Sequence, residues 1–161
     1  MDSMVSLFMD GAQNSIFASQ ALKKISEDDS LKKTFGFTNA VSFYSSVISH
    51  SYYAIFYAAK AYLLSRSIPL KSKQGQHQQV YYEFRRLVQN GEIDKELLRI
   101  YEENRLKAEV LLEILKSEKE KRTDFTYETI PQANKAPAEE SLNNALTFIS
   151  HIKVFLGINP K

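Results

Sequence analysis

The sequence predicts an all-α protein, an antiparallel up-and-down bundle of four long helices with one short helix. Apolar residues recur at spacings of three and four along most of the chain, as in helices that bury one face. Glycine and proline, which interrupt helices, cluster at a few places. The alternation that marks β-strands is almost absent. A length of 161 residues indicates one domain, residues 1–161.

The first three helices are delimited by residues that begin or end helices. The first helix is predicted at residues 2–27. The second is predicted at 38–66, because Thr38 suits an N-cap and a loop with Pro69 and Gly75 follows. The short third helix is predicted at 76–90, since the Asn90-Gly91 pair that follows is a stop signal.

The last two helices are predicted at residues 94–121 and 137–156. Pro137 suits the first turn of a helix, and the acids Glu139 and Glu140 behind it favour a helix start. Each segment carries one apolar stripe, formed by Leu97, Ile100, Tyr101, Leu111, Leu112 and Leu115 in the former and by Leu142, Leu146, Ile149, Ile152, Phe155 and Leu156 in the latter. Helices of this kind stabilise one another by burying their stripes, and short connections favour antiparallel neighbours.

Composition narrows the classes of protein to consider. Hydrophobic residues make up 43% of the chain and charged residues 25%, which is ordinary for a globular domain. There is no cysteine, so no disulfide forms, and we expect a reducing, cytoplasmic setting. We find neither a basic segment of the signal-peptide type at the N-terminus nor an apolar run of membrane-spanning length. The net charge of +2 is too small to indicate a nucleic-acid binder by itself, although a local basic patch is compatible with it.

Sequence motifs of common enzymes are missing. Three scattered histidines without cysteine give no metal-ligand spacing. No glycine-rich phosphate loop and no nucleophile elbow occur. We therefore expect no cofactor and no metal.

The second predicted helix has three distinct faces. At 100° per residue, Tyr44, Ile48, Ile55, Ala59 and Tyr62 form a core face, and Ala54, Ala58 and Ala61 form a small-residue flank where a neighbouring helix approaches closely. The third face holds Ser46, His50, Tyr53, Tyr57, Lys60 and Leu64. Two interpretations remain open. The tyrosines lie at the edge of the core with their hydroxyls in water, or they form a semi-buried seam toward a ligand or a second subunit, for which tyrosine is well suited.

Several segments of the chain resemble the HEPN domains, the higher-eukaryotes-and-prokaryotes nucleotide-binding family. They are HSYYAIFYAAKAYL, IPLKSKQG, FRRLVQNGEID, KRTDFTY and AEESLNNALTFISHIKVFL, and the resemblance spans residues 12–156. It implies a helical bundle that forms a symmetric homodimer with a functional groove at the seam. Many members are metal-independent endoribonucleases, often toxins beside a minimal nucleotidyltransferase that acts as the antitoxin. Others bind RNA, nucleotides or partner proteins without catalysis.

Catalytic members of that family carry an Arg, four to six further residues and then a His. The His moves the proton of the 2′-hydroxyl, and the Arg holds the charge that develops on the phosphate. Here Arg122 is followed after four residues by Tyr127, which is a poor base at neutral pH. Two further family positions hold His50 and Tyr57, where the family often has Arg and His. Arg122 and Tyr127 are therefore weak catalytic candidates.

A second group of candidates is basic. Lys71 and Lys73 precede His77, and Arg85 and Arg86 follow it. His77 is either a surface residue at a helix start or a contact to a phosphate or base. The four cations form one RNA-binding patch or simply a solvated face.

Three hypotheses follow for function. The first is a dimeric RNA-, nucleotide- or partner-binding module, the HEPN half of a toxin–antitoxin or stress-response pair. The second is a metal-independent endoribonuclease that uses Arg122. The third is a structural bundle whose seam, His50, Tyr53, Tyr57 and Lys60, only joins two subunits.

Overall fold

The computed structural model describes residues 2–71, 73–121 and 130–159, with side chains described up to residue 111 and again from 135. Within these ranges the chain forms six helices and no strand. They are α1 Ser3–Glu27, α2 Asp29–Thr34, α3 Tyr44–Ser65, α4 Gln76–Gln89, α5 Lys95–Lys121 and α6 Ile130–Phe155. The predicted all-α class is confirmed. None of these helices combines the length and the apolarity that crossing a membrane requires.

The four long helices α1, α3, α5 and α6 alternate in direction, as the sequence predicts. Contacting residues on neighbouring helices have numbers that run in opposite senses, which is the mark of an antiparallel pair. The pairs are Ser19–Val47 and Phe8–Tyr57 for α1 and α3, Lys23–Glu139 and Gln13–Lys153 for α1 and α6, and Asn104–Ser141 and Lys107–Glu140 for α5 and α6.

Helix α3 is the centre of the bundle and contacts α1, α4, α5 and α6. Its predicted core face is confirmed, because Tyr44, Ile48, Ile55, Ala59 and Tyr62 are all buried. The alanines Ala54, Ala58 and Ala61 are completely buried, as expected for a flank of close helix approach. Apolar periodicity therefore identified both buried faces of this helix.

The prediction that the second helix starts at Thr38 is wrong, because α3 begins at Tyr44. The residues before it are held by tertiary contacts instead. The ammonium of Lys32 donates to the carbonyl of Asn39 at 2.9 Å, and the backbone N–H of Phe43 donates to Ser26 Oγ at 2.7 Å. A segment whose polar groups are satisfied in this way does not need to form a helix.

Helix α2 was not predicted at all. Asp28 caps it, since its carboxylate accepts from the backbone N–H of Leu31 at 3.0 Å. Gly36 ends it with a φ of 76°, a left-handed conformation typical of helix C-termini. The element is only six residues long, too short for a periodic apolar signal.

The predicted start of the last helix at Pro137 is also wrong, because α6 begins at Ile130 and contains Pro137. A proline inside a helix costs roughly 3 kcal/mol, because it removes a hydrogen bond and clashes with the preceding turn. Burial of Ala138, Leu142 and Ala145 just beyond it offsets this cost. The other predicted boundaries agree with the structure to within one residue.

Candidate functional site: the His77 cluster

The candidate site lies where the start of α4 meets the middle of α3. We define the His77 cluster as Tyr52, Tyr53, Phe56 and Lys60 of α3 with Gln76 and His77 of α4. The connection between the helices returns along α3, so that α4 begins beside Phe56 rather than beside the end of α3.

His77 is held by a stacking contact and a hydrogen bond. Its ring lies parallel to that of Phe56, with centroids 3.9 Å apart and an angle of 12° between the planes. The hydroxyl oxygen of Tyr52 lies 2.9 Å from His77 Nδ1. Burial raises the pKa of Tyr52 to about 12, so this hydroxyl stays protonated at neutral pH and is able to donate a hydrogen bond to the imidazole. One face and one nitrogen of His77 are thus occupied.

Tyr53 presents an exposed aromatic surface beside this pair. Its side chain is 41% exposed, and its ring meets His77 edge-on at 5.6 Å. It also approaches the rings of Tyr52 at 5.9 Å and Tyr57 at 6.3 Å. The rings of His77, Tyr52 and Tyr57 therefore pack against the Tyr53 ring, which remains open to solvent.

Lys60 supplies a half-buried positive charge. Its Nζ donates to Gln76 Oε1 at 2.6 Å and lies 4.1 Å from the centre of the Phe8 ring. None of the described carboxylates forms an ion pair with it. Burial lowers the pKa of Lys60, because the charged ammonium loses part of its hydration. An unneutralised cation in this setting is suited to receive an anion.

Helix α5 adds a second cation behind the His77 cluster. The guanidinium of Arg105 lies 4.2 Å from the ring centre of Tyr81 and pairs with Glu109 at 3.0 Å. Burial lowers the pKa of His77, and the charges of Lys60 and Arg105 lower it further. The cluster thus favours a neutral imidazole at physiological pH.

The lowered pKa of His77 predicts a loss of stability in mild acid. When the pH falls below the unfolded value of about 6.5, the unfolded chain takes up the proton first, so the free energy of unfolding decreases until the pH reaches the folded pKa. We expect His77→Gln to remove this dependence between pH 7.5 and 5.5, as measured by urea unfolding at several pH values. An unchanged slope in the variant would contradict the pKa shift.

The charge pattern of the chain from α2 to the start of α4 is strongly one-sided. No Asp or Glu occurs between residues 30 and 82, whereas this stretch contains six cations: Lys32, Lys33, Lys60, Arg66, Lys71 and Lys73. It covers the whole of α3 and the connection to α4. A segment of this kind attracts anions even though the net charge of the chain is only +2.

The predicted seam of His50, Tyr53, Tyr57 and Lys60 does not form one continuous exposed surface. Tyr53 contacts Tyr57, but α1 covers much of Tyr57, because the Phe8 ring stacks on it at 6.2 Å and Gly11 approaches it closely. Lys60 lies over the same Phe8 ring. His50 is half-buried and has no described contact to the His77 cluster. The ligand or dimer role of the seam stays a prediction.

The predicted RNA contacts are mostly exposed. Lys71, Lys73 and Arg85 are exposed and form no ion pair with the described side chains, whereas Arg86 pairs with Glu83 at 2.7 Å. His77 lies at a helix start with an exposed side chain, as one of the two sequence interpretations has it, and it contacts Phe56 and Tyr52. The phosphate role of all five residues stays a prediction.

Sequence reasoning missed Tyr52, Phe56, Gln76 and Arg105 as members or neighbours of the site. One signal was present, because Tyr52, Phe56 and Lys60 follow one another at intervals of four and share a side of α3. Gln76 of α4 and Arg105 of α5 had no such signal.

The two catalytic candidates, Arg122 and Tyr127, lie outside the described residues. No three His, Asp or Glu side chains of the described part are grouped as metal ligands would be. The chain matches no family model, no curated protein and no solved structure in the three comparisons made. The resemblance to HEPN domains therefore rests on the sequence motifs and stays a prediction.

Proposed function

We propose that this chain is an HEPN-like module that binds RNA or nucleotides through the His77 cluster, without cleaving them. The observation that carries the proposal is the half-buried ammonium of Lys60, which has no carboxylate partner among the described side chains. Its charge acts on His77, whose ring Tyr53 contacts edge-on. Binding of single-stranded nucleic acid needs an aromatic surface for a base and a cation for a phosphate, and both are present here.

The surrounding charge supports an anionic ligand. A phosphate that approaches the connection between α3 and α4 meets Lys71 and Lys73. Residues 30–82 contain no acidic side chain that would repel it. Such contacts release counterions, so binding weakens steeply as salt rises.

The direct test is binding of a fluorescently labelled single-stranded oligoribonucleotide, followed by anisotropy. We expect Tyr53→Ala to weaken binding by about 5- to 150-fold, because loss of one stacked base costs about 1–3 kcal/mol. Lys71→Ala should lower the slope of log affinity against log salt by about 1. Phe17→Ala, which removes an even more exposed ring from α1, should leave binding unchanged.

Binding that is absent in the wild type, or that Tyr53→Ala and Phe17→Ala weaken equally, would contradict the proposal.

The same samples distinguish the second candidate function, a metal-independent ribonuclease. The neutral imidazole of His77 near Lys60 and Arg105 favours this candidate, because a base and a cation are what the reaction requires. Degradation of the RNA in EDTA that is lost in His77→Ala or Arg122→Ala would support it.

The proposal includes a homodimer along the seam of His50, Tyr53, Tyr57 and Lys60. His50 is half-buried and lies outside the His77 cluster, so a second subunit can contact it while Tyr53 stays open to the ligand, in the groove that the family resemblance implies at the seam. We expect the mass of a dimer in light scattering at tens of micromolar, and a monomeric mass would contradict it. A nucleotidyltransferase-type antitoxin as partner follows only from the family resemblance, and co-purification with such a protein from a neighbouring gene would test it.

A further inference from the structure

We propose that a cavity between α1 and the C-terminal end of α6 binds an α-amino acid with an apolar side chain. The cavity has a volume of about 550 Å³, within the range of small-molecule sites. It shares no residue with the His77 cluster, so this inference goes beyond the proposed function. Its walls combine opposite charges with an apolar surface, and these two features define the ligand class.

The charged side chains are Asp10 of α1 and Lys153 of α6. The Nζ of Lys153 donates to Gln13 Oε1 at 2.9 Å, which places the ammonium against α1. Neither Asp10 nor Lys153 forms an ion pair with a described residue. Both charges line the cavity and remain available to a ligand.

The spacing of these charges suits a zwitterion. Gln13 follows Asp10 by three residues, which is about 4.5 Å along the axis of a helix. The ammonium of Lys153, held by Gln13, therefore lies against α1 near the turn that carries Asp10, and both charged side chains line the same cavity. An α-amino acid carries its ammonium and carboxylate on the same carbon atom, so it fits between the two residues, with its ammonium at Asp10 and its carboxylate at Lys153.

The rest of the wall accounts for the apolar side chain. Met9 is buried and Ile158 half-buried, and both line the cavity with Phe17. The ring of Phe17 is 58% exposed, a large apolar surface in water. An aliphatic ligand side chain that covers this ring would bury apolar surface on both partners, which is favourable.

The test compares L-leucine with three analogues that each lack one feature. These are 4-methylpentanoate without the ammonium, isopentylamine without the carboxylate, and glycine without the apolar side chain. We expect a saturable rise in melting temperature with millimolar leucine, since a ligand that binds the folded state stabilises it. The three analogues should give a much smaller rise at the same concentration.

Variants complete the experiment. Asp10→Asn and Lys153→Gln should abolish the response to leucine, whereas Lys153→Arg, which keeps the charge, should retain it. Tyr53→Ala should respond like the wild type, so failure here and failure of the RNA-binding proposal are distinguishable. The inference is overturned if leucine gives no rise, if the singly charged analogues act equally well, or if well-folded Asp10→Asn and Lys153→Gln respond like the wild type.

Discussion

Replacing Phe84 with alanine is expected to lower the free energy of unfolding by about 3–5 kcal/mol, the range for large-to-small changes at fully buried aromatics. Phe84 is fully buried, and its ring lies 5.3 Å from that of Phe148 and 5.7 Å from that of Tyr101. It thereby joins α4 to α5 and α6. The cavity left by the substitution cannot close without moving α4.

Urea unfolding followed by circular dichroism measures this effect. Tyr82→Ala is the matched control, because Tyr82 lies on the same helix with 52% of its surface exposed. The control should change stability by no more than about 0.5 kcal/mol. A loss below about 1 kcal/mol for Phe84→Ala would mean that α4 is not packed as described, because such burial normally costs more. Since His77 belongs to α4, the candidate site would then be in doubt as well.

Replacing Lys60 with methionine is expected to act in opposite directions on RNA binding and on stability. A hydrogen bond to a charged group contributes about 1.5–3 kcal/mol, so RNA affinity should fall roughly 10- to 150-fold. Stability should be maintained or rise, because methionine keeps the apolar stem against Phe8 and removes a cation whose burial is unfavourable.

Anisotropy and urea unfolding on the same preparation measure the two effects. Lys33→Met, which removes an exposed lysine of α2, is the control and should lower affinity much less. Unchanged RNA affinity in Lys60→Met would exclude this ammonium as the phosphate contact. A clear loss of stability would show that its bond to Gln76 and its contact with Phe8 outweigh the cost of burying it.

Local patterns explain which parts of the fold were predictable. The faces of α3 follow from the regular rotation of 100° per residue, so burial of Ile48 and Ile55 needed no knowledge of the neighbouring helices. Helix ends were less predictable where tertiary contacts compete with local signals. Thr38 looks like an N-cap, yet Lys32 and Ser26 bind the backbone of the following residues, and the helix starts only at Tyr44.

In the candidate site too, local patterns predicted some features and tertiary packing decided the others. The sequence alone pointed to Tyr53, Lys60 and His77 as separate candidates, because each residue type and its helical position are local properties. It also predicted an open stripe through Tyr57, whereas α1 covers that side chain with Phe8. Whether a stripe is open depends on which helix packs over it, and Phe8 of α1 lies 49 positions before Tyr57 in the chain.

By itself, then, the sequence determined an all-α bundle, the direction of its long helices and the buried faces of α3, since these depend on periodicity and short connections. Only the tertiary structure decided that His77 stacks on Phe56, beside Lys60. The physical reason is that the chain after α3 folds back, which brings together residues 21 positions apart along the sequence. No local preference specifies a contact at that separation; it is selected by the packing of α4 through Phe84 onto Tyr101 and Phe148.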